Sequence, residues 1–284
     1  MNHSHTIVVT GATGVLGSAV IEFMQYRGFN VTAGTTDPAK KPQVNGVNTQ
    51  RVVFEDLASI DAVLNGAYGL FLMAPPMDSA SDTKLIPVID LAISKGIKHV
   101  VFNSALGVDM AEQSPLNKIE KHLAASGVNH TILRPNFFME NFSAGFLLSM
   151  VAHGGIFLAA GEGKTSFISA KDIAATAAAA FEKKLYSRAF NLTGMESLDH
   201  AEVAATISEL TGKIIRYHPL AEADMLKGAR DNGMPESSVQ MMGSLYEAVR
   251  QGFMAGITED VKHVTGRNPI RFREFVMNNK NAWK

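Results

Sequence analysis

The chain has 284 residues, 46% hydrophobic and 19% charged, a balance that supports a large folded core and excludes a disordered or collagen-like polymer. Its 26 Lys and Arg nearly cancel 27 Asp and Glu, so no global positive field exists to gather nucleic acid or an anionic membrane. Cysteine is absent, which excludes disulfides, thiolate metal ligands and cysteine nucleophiles and fits a reducing cytoplasm.

The opening Met1-Asn2-His3-Ser4-His5 runs into an apolar strand-like stretch without the basic region, long apolar run or cleavage site of an export signal. The apolar stretch 168–181 carries Lys171 and Asp172 and is too interrupted to span a bilayer, so no membrane anchoring is expected. Short β-branched runs at 6–10, 30–35, 51–54, 68–73, 99–104 and 130–134 alternate with helix-like segments. Such alternation reads as successive βα units of a parallel sheet. The helix over 15–27 is expected to bury Val15, Ala19, Phe23 and Tyr26 and to stop at Gly28. Leu85, Val88, Ile89 and Ala92 make a second stripe, and Pro87 within it places that helix's start close to itself.

After Arg134 the alternation weakens. Residues 137–150 are rich in Phe, Met and Leu, and Gly154-Gly155 and Gly161-Glu162-Gly163 read as turns. An alanine-rich helix is expected over 171–184 and a strand over 188–192. From Asp199 onward the chain reads as mostly helical, opening on the capping-box spacing of Asp199 and Glu202.

The strongest local signal is Thr10-Gly11-Ala12-Thr13-Gly14-Val15-Leu16-Gly17, directly after a predicted strand and opening a helix. A pyrophosphate needs backbone N–H groups at a helix N-terminus, and side chains would hold it away. Gly11 suits the tight turn, Gly14 a close approach of phosphate, and Gly17 tight packing of helix on sheet. A purely structural turn is the alternative.

This motif resembles that of the short-chain dehydrogenase superfamily, and the chain as a whole resembles its atypical NmrA-like branch, which includes triphenylmethane, quinone and isoflavone reductase-like enzymes. Further residues carrying the resemblance are Glu55-Asp56-Leu57, Ser126-Gly127, Thr131-Ile132-Leu133-Arg134-Pro135, Phe138-Met139-Glu140-Asn141, Phe167-Ile168-Ser169, Asp172-Ile173-Ala174 and Thr265-Gly266-Arg267-Asn268-Pro269. It implies an α/β protein: a Rossmann-type doubly wound parallel sheet with a smaller, mainly helical C-terminal substrate lobe. The expected dinucleotide-binding domain comprises 1–136 and 168–194, and the substrate lobe 137–167 and 195–284.

The same resemblance implies that Gly11, Thr13, Gly14, Val15, Leu16 and Gly17 hold a nicotinamide dinucleotide. NADP is favoured because Thr35 and Thr36 can donate to a 2′-phosphate and Lys40 stands where relatives carry a lysine, with Lys41 beside it; the usual Arg near Thr36 is missing. NAD stays open through Asp37, which could read ribose hydroxyls, although Pro38 suggests that Asp37 starts a turn. By resemblance Asp56 and Leu57 border the adenine, with helix N-cap the alternative role for Asp56. Ala74, Pro75 and Pro76 are implied to flank the ribose and nicotinamide, with Asn103 and Pro135 lining the same edge.

The superfamily's usual tyrosine acid is missing, since none of the five tyrosines lies between Ser104 and Arg134. Lys118 matches the lysine of isoflavone reductase-like members, and an exposed helix lysine is its alternative reading. Ser104 and Asn136, at strand ends, could orient nicotinamide or substrate or simply satisfy turn backbone. Phe137, Phe138 and Met139 are candidate substrate contacts. They are expected to combine with a helix over 234–256 that presents Met241 or Met242, Leu245, Val249 and Phe253, for which ordinary core packing is the alternative. The nine histidines, the His3 and His5 pair included, show no metal-binding spacing, so no metal is expected.

The expected activity is reduction of a small apolar aromatic or quinone-like acceptor by NADPH. The rivals are a redox-sensing regulator that binds dinucleotide without turnover, and a silent scaffold. Either a monomer or a homodimer is compatible with the sequence.

Overall fold

The computed structural model describes residues 5–40, 42, 44 and 46–283; His3 and Lys41, named above, lie outside the described residues. The chain divides into two compact units, one of residues 1–135, 170–192 and 260–266, the other of 136–169, 193–259 and 267–284.

The first unit is a seven-stranded sheet in the order β3-β2-β1-β4-β5-β6-β8, every neighbour parallel. Its strands are β1 (Thr6–Val9), β2 (Asn30–Thr35), β3 (Asn48–Arg51), β4 (Gly69–Met73), β5 (His99–Asn103), β6 (His130–Pro135) and β8 (Arg188–Leu192). Helices α1 (Val15–Tyr26), α2 (Leu57–Leu64), α3 (Ser81–Ser94), α4 (Pro115–Ala125), α6 (Ala170–Glu182) and α10 (Asp260–Thr265) accompany them. This is the doubly wound Rossmann arrangement, in which the winding reverses between β1 and β4. The central strands are apolar on both sides, with Ile7, Val9, Phe71, Leu72 and Phe102 fully buried, because helices cover both faces of a parallel sheet.

Three expectations change here. The third strand spans Asn48–Arg51 rather than 51–54. An edge strand needs little buried surface, so polar residues pair with β2, while Val52 packs its Cβ branch on Gly34 and Val53 bridges back to Asp56. Helix α1 buries Leu16, Gly17, Val20, Ile21 and Met24, and leaves Val15 and Tyr26 exposed. Its phase is set by Gly17, whose face must meet the preceding turn, and that rotates the expected stripe by about one position. Helix α3 starts at Ser81 and carries Pro87 inside it. An interior proline costs about 3 kcal/mol, and burying Leu85, Val88 and Ile89 completely, at roughly 1.5–3 kcal/mol each, outweighs it.

The segment 260–266, expected in the substrate lobe, belongs to the sheet unit. Asp260 Oδ2 accepts the Asn191 N–H at 2.7 Å, and Lys183 Nζ donates to the Val264 carbonyl at 2.7 Å.

The second unit is mainly helical, with α5 (Leu148–Ala152), α7 (His200–Thr211), α8 (Glu222–Asp231), α9 (Glu236–Arg250) and α11 (Phe272–Asn278). It also holds a parallel pair, β7 (Gly155–Leu158) with β9 (Arg216–Pro219), so only Gly154 of the expected Gly154-Gly155 turn is turn backbone, at φ +86°. The Asp199 capping box opens α7. Phe142, Phe167, Phe272 and His200 meet edge to face at the centre of this core. Helix α9 buries Val239, Gly243, Tyr246 and Val249, whereas Met241, Met242 and Leu245 are half-buried and Phe253 is exposed. Gly243 faces Leu226 of α8 on this inward side, at a distance that an added methyl would fill as ordinary contact.

Two buried imidazoles link the fold to pH. Thr131 Oγ1 donates to the Leu185 carbonyl and so accepts from His99 Nε2 at 2.8 Å, leaving Nδ1 unprotonated and without a partner among the described residues. Burial pushes His99 down to about 4, and burial does the same to His200. Between pH 4 and 6.5 the unfolded chain therefore binds more protons than the folded one. Stability is complete above about pH 6.5 and falls with acidification, by about 1.4 kcal/mol per pH unit per histidine. Urea unfolding between pH 7 and pH 4.5 should show this slope, and His99→Gln, which keeps the bond to Thr131, should remove about half of it.

Candidate functional site

The carboxyl edge of the parallel sheet gathers the residues that the sequence singles out in the first unit. Gly11 turns the chain at φ +62°, and the Ala12 N–H donates to the Gly34 carbonyl at 3.1 Å, tying the turn to the tip of β2. Thr10 clamps the other side: its hydroxyl donates to the Phe71 carbonyl at 3.2 Å and accepts the Met73 N–H at 3.1 Å. Ser18 Oγ donates to the Ala12 carbonyl at 3.0 Å.

The turn feeds α1 through Gly14, an N-cap residue at φ −77° and ψ 170° that supplies no side-chain cap. Gly14 N–H bonds back to Gly11, but the N–H groups of Thr13, Val15, Leu16 and Gly17 meet no backbone acceptor among the described residues. Thr13, Gly14 and Val15 are exposed. A β-carbon on Gly17 would lie 2.1 Å from the Gly11 carbonyl oxygen, whereas one on Gly14 would meet only that same oxygen, at 3.3 Å. Gly17 thus lets helix and turn close, and Gly14 keeps the helix mouth open. An uncapped helix N-terminus with free N–H groups and no side chain over it fits a pyrophosphate.

At the tip of β2, Thr35 is buried and Thr36, Asp37 and Lys40 are exposed. Asp37 Oδ1 accepts the Ala39 N–H at 3.0 Å, the turn that Pro38 suggested. Asp56 caps α2, accepting the Ser59 N–H, and receives Arg51 Nη1 at 2.5 Å; this hydrogen bond from Arg51 holds its carboxyl below the usual range. Leu57 follows it, 41% exposed. Sequence reading missed Arg51 because β3 was placed three residues late.

Beyond β4, Ala74 and Pro75 are half-buried, Pro76 is exposed, and Met77 takes a left-handed φ of +57°. Lysines lace these loops: Lys84 Nζ reaches Asp78 at 2.7 Å and Glu55 at 3.2 Å, and Lys118 Nζ reaches Asp82 at 3.1 Å. Lys118 lies in the first turns of α4 and is half-exposed. The Asn103 Oδ1 at the end of β5 is buried without a partner among the described residues, and Pro135 ends β6 with its carbonyl accepting the Leu106 N–H at 2.9 Å.

Ser104 is tied into the framework. Its hydroxyl donates to Glu120 Oε1 at 2.5 Å, and Glu120 holds Arg134 at 2.6 Å, which also reaches Asp109 at 2.9 Å. In the second unit Asn136 is equally committed: Nδ2 donates to Ser166 Oγ at 2.8 Å and to the Met254 carbonyl at 2.9 Å, and Oδ1 accepts the Phe137 N–H at 2.9 Å. Phe137 and Phe138 are half-buried, Met139 is buried, and the Phe137 ring stands 6.1 Å from that of Tyr246. Burial pushes the Tyr246 phenol upward, so it stays protonated. Among the described residues no cluster of acidic or histidine side chains could hold a metal, and no helix is long and apolar enough to cross a membrane.

A doubly wound sheet with an open, glycine-built helix mouth at its winding reversal defines a Rossmann-type protein. Residues 3–263 match the NmrA-like family, and the chain belongs to that family. It is 33% identical over 95% of its length to prestalk A differentiation protein A of Dictyostelium discoideum, covering 91% of that protein. It is 31% identical to the NAD(P)H azoreductase of Xenophilus azovorans, over 95% of this chain and 96% of that one. Among solved structures it superposes on an NADPH-dependent quinone oxidoreductase of Escherichia coli in complex with NADPH, with a TM-score of 0.81, 26% identity, and coverage of 96% of this chain and 99% of that one.

Two substitutions separate the glycines' roles. Gly14 has extended backbone that valine also adopts, with a β-carbon 3.3 Å from the Gly11 carbonyl oxygen, so Gly14→Val should keep the protein folded with only a modest fall in melting temperature while abolishing dinucleotide binding in calorimetric titration. Gly17→Ala should instead destabilise the fold, by about 1–3 kcal/mol as for other overpacked sites, because its methyl meets backbone that cannot move aside.

Proposed function

We propose that the protein is an NADPH-dependent reductase of small, flat, apolar acceptors of the quinone or azo-dye class. The observation that carries this reading is the uncapped mouth of α1 with four free N–H groups, in a chain 31% identical to an azoreductase along nearly its whole length. Gly11, Thr13, Gly14, Val15, Leu16 and Gly17 would hold the pyrophosphate; Asp56 and Leu57 would border the adenine; Ala74, Pro75, Pro76, Asn103 and Pro135 would line the path of the ribose and nicotinamide. Asn103 Oδ1, buried and without a partner among the described residues, is available to accept a hydrogen bond there. Preference for NADPH is supported by Thr36 and Lys40 at the β2 tip and by the NADPH complex of the quinone oxidoreductase relative.

The bound dinucleotide supplies a hydride, so the protein needs to orient, stabilise and exclude water rather than to offer a nucleophile. Lys118, held by Asp82 at the N-terminal end of α4, is our candidate for binding ribose hydroxyls and for delivering a proton to the reduced acceptor. Phe137, Phe138 and the half-buried flank of α9 are candidate contacts for the acceptor's rings. A conjugated acceptor spreads the incoming charge over its own framework, which makes a tyrosine acid dispensable. Ser104 and Asn136 act in this scheme as positioning residues, because their polar groups are already bonded inside the protein.

A regulator reading rests on the relative named for a role in differentiation. Incubation with excess NADPH and a panel of quinones, azo dyes and triphenylmethane dyes distinguishes the two. The reductase reading expects at least one acceptor consumed over many turnovers. A panel that stays unreduced, with strong discrimination between NADP and NADPH in binding, would transfer the assignment to a sensor.

A further inference from the structure

We propose that Arg51 reads the adenosine 2′-phosphate of NADP(H) from β3, ahead of Lys40 at the tip of β2. The inference rests on the dinucleotide-binding reading above and concerns which residue confers selectivity.

Position supports it first. In the parallel register Arg51 lies beside Thr35, and both are the last residues of their strands. Hydrogen bonds carry the connection back to the phosphate-binding turn: the Val52 N–H donates to the Thr35 carbonyl at 2.8 Å, and the preceding residue, Gly34, accepts the Ala12 N–H at 3.1 Å. The tip of β2 offers the exposed Thr36 and Lys40. The Thr35 side chain is 5% exposed and turned to the backbone of Asp37, and residues 36–39 contain no cation.

Chemistry supports it second. One Nη of Arg51 bonds Asp56 Oδ2, and its other N–H groups meet no acceptor among the described residues. The two side chains are 53% and 40% exposed, and an ion pair this open adds little to stability. A guanidinium presents five donors in a fixed plane, enough to keep Asp56 ionised and oriented while a second edge receives a phosphate in bidentate fashion. Asp37, Glu55 and Asp56 stand at the same sheet edge, Glu55 paired with Lys84 and Asp56 with Arg51, so a dianionic 2′-phosphate arriving there needs cationic compensation, and Arg51 has donors left for it.

The test is calorimetric binding of NADPH, NADH, 2′,5′-ADP and 5′-AMP to the wild type and to Arg51→Gln, Arg51→Lys and Lys40→Ala, with thermal melts as a folding control. Arg51→Gln should weaken NADPH and 2′,5′-ADP by about ten- to a hundredfold, the loss expected for a charge-assisted pair, and leave NADH and 5′-AMP within about threefold. Arg51→Lys should fall between, and Lys40→Ala should lose less than Arg51→Gln. Equal weakening of both dinucleotides would mean that Arg51 acts only through Asp56 and would overturn the proposal, as would unchanged NADPH affinity or a wild type that does not prefer NADPH. Wild-type protein that binds no dinucleotide would sink the reductase reading itself, whereas tight NADPH binding indifferent to Arg51 would sink only this inference.

Discussion

Helix α1 can start where it does because Gly17 has no β-carbon: one placed there would stand 2.1 Å from the Gly11 carbonyl oxygen, inside any allowed contact. That single close approach sets the phase of the helix, and hence which residues face the sheet. It also leaves the Gly14 mouth uncapped and aimed at the carboxyl edge. The neighbouring strands are then referenced to the same turn, β2 through the bond from Ala12 to Gly34 and β4 through the Thr10 hydroxyl. The geometry needed to receive a pyrophosphate and the geometry needed to close the first βα unit are therefore one constraint.

Around that turn the edge is held by charge. Lys84 joins the loops after β3 and β4, Lys118 joins α3 to α4, and Glu120 buried against Arg134 fixes Ser104 at the end of β5. The exposed members contribute little energy individually. The Glu120 and Arg134 pair differs, since its side chains are only 6% and 14% exposed and losing either partner would leave a buried charge without compensation. Such lacing suits a site whose work is orientation, where loops must present backbone and side-chain groups in fixed directions.

The missing tyrosine of the wider superfamily is consistent with this economy of chemical groups. Ser104 donates into a carboxylate and Asn136 into Ser166 and the Met254 carbonyl, so neither has a free donor, and Lys118 is the cation left among the three candidates. The second unit has aromatic packing of its own, with Phe137 against Tyr246 and a phenol that burial keeps protonated.

Local chemistry was enough to find the glycine turn, six of the seven sheet strands and the Asp199 capping box, because glycine spacing, β-branched runs and cap residues act over a few neighbours, and the family came from the resemblance of its motifs. What needed the tertiary structure were the features settled by distant partners. Strand β3 is polar and exists only by register with β2, so Arg51 was hidden from any reading by hydrophobicity. The inward face of α1 was decided by Gly17, where a missing side chain permits close packing, and α9 buries Val239, Tyr246 and Val249 rather than its methionines. Helix α3 runs through Pro87 because the burial of Leu85, Val88 and Ile89 exceeds the proline's cost, and 260–266 returns to the sheet unit through Asp260 and Asn191, separated by 69 positions in the chain. Periodicity reports which residues prefer to be buried; which neighbour buries them, and which polar groups that neighbour occupies, is a property of the folded chain alone.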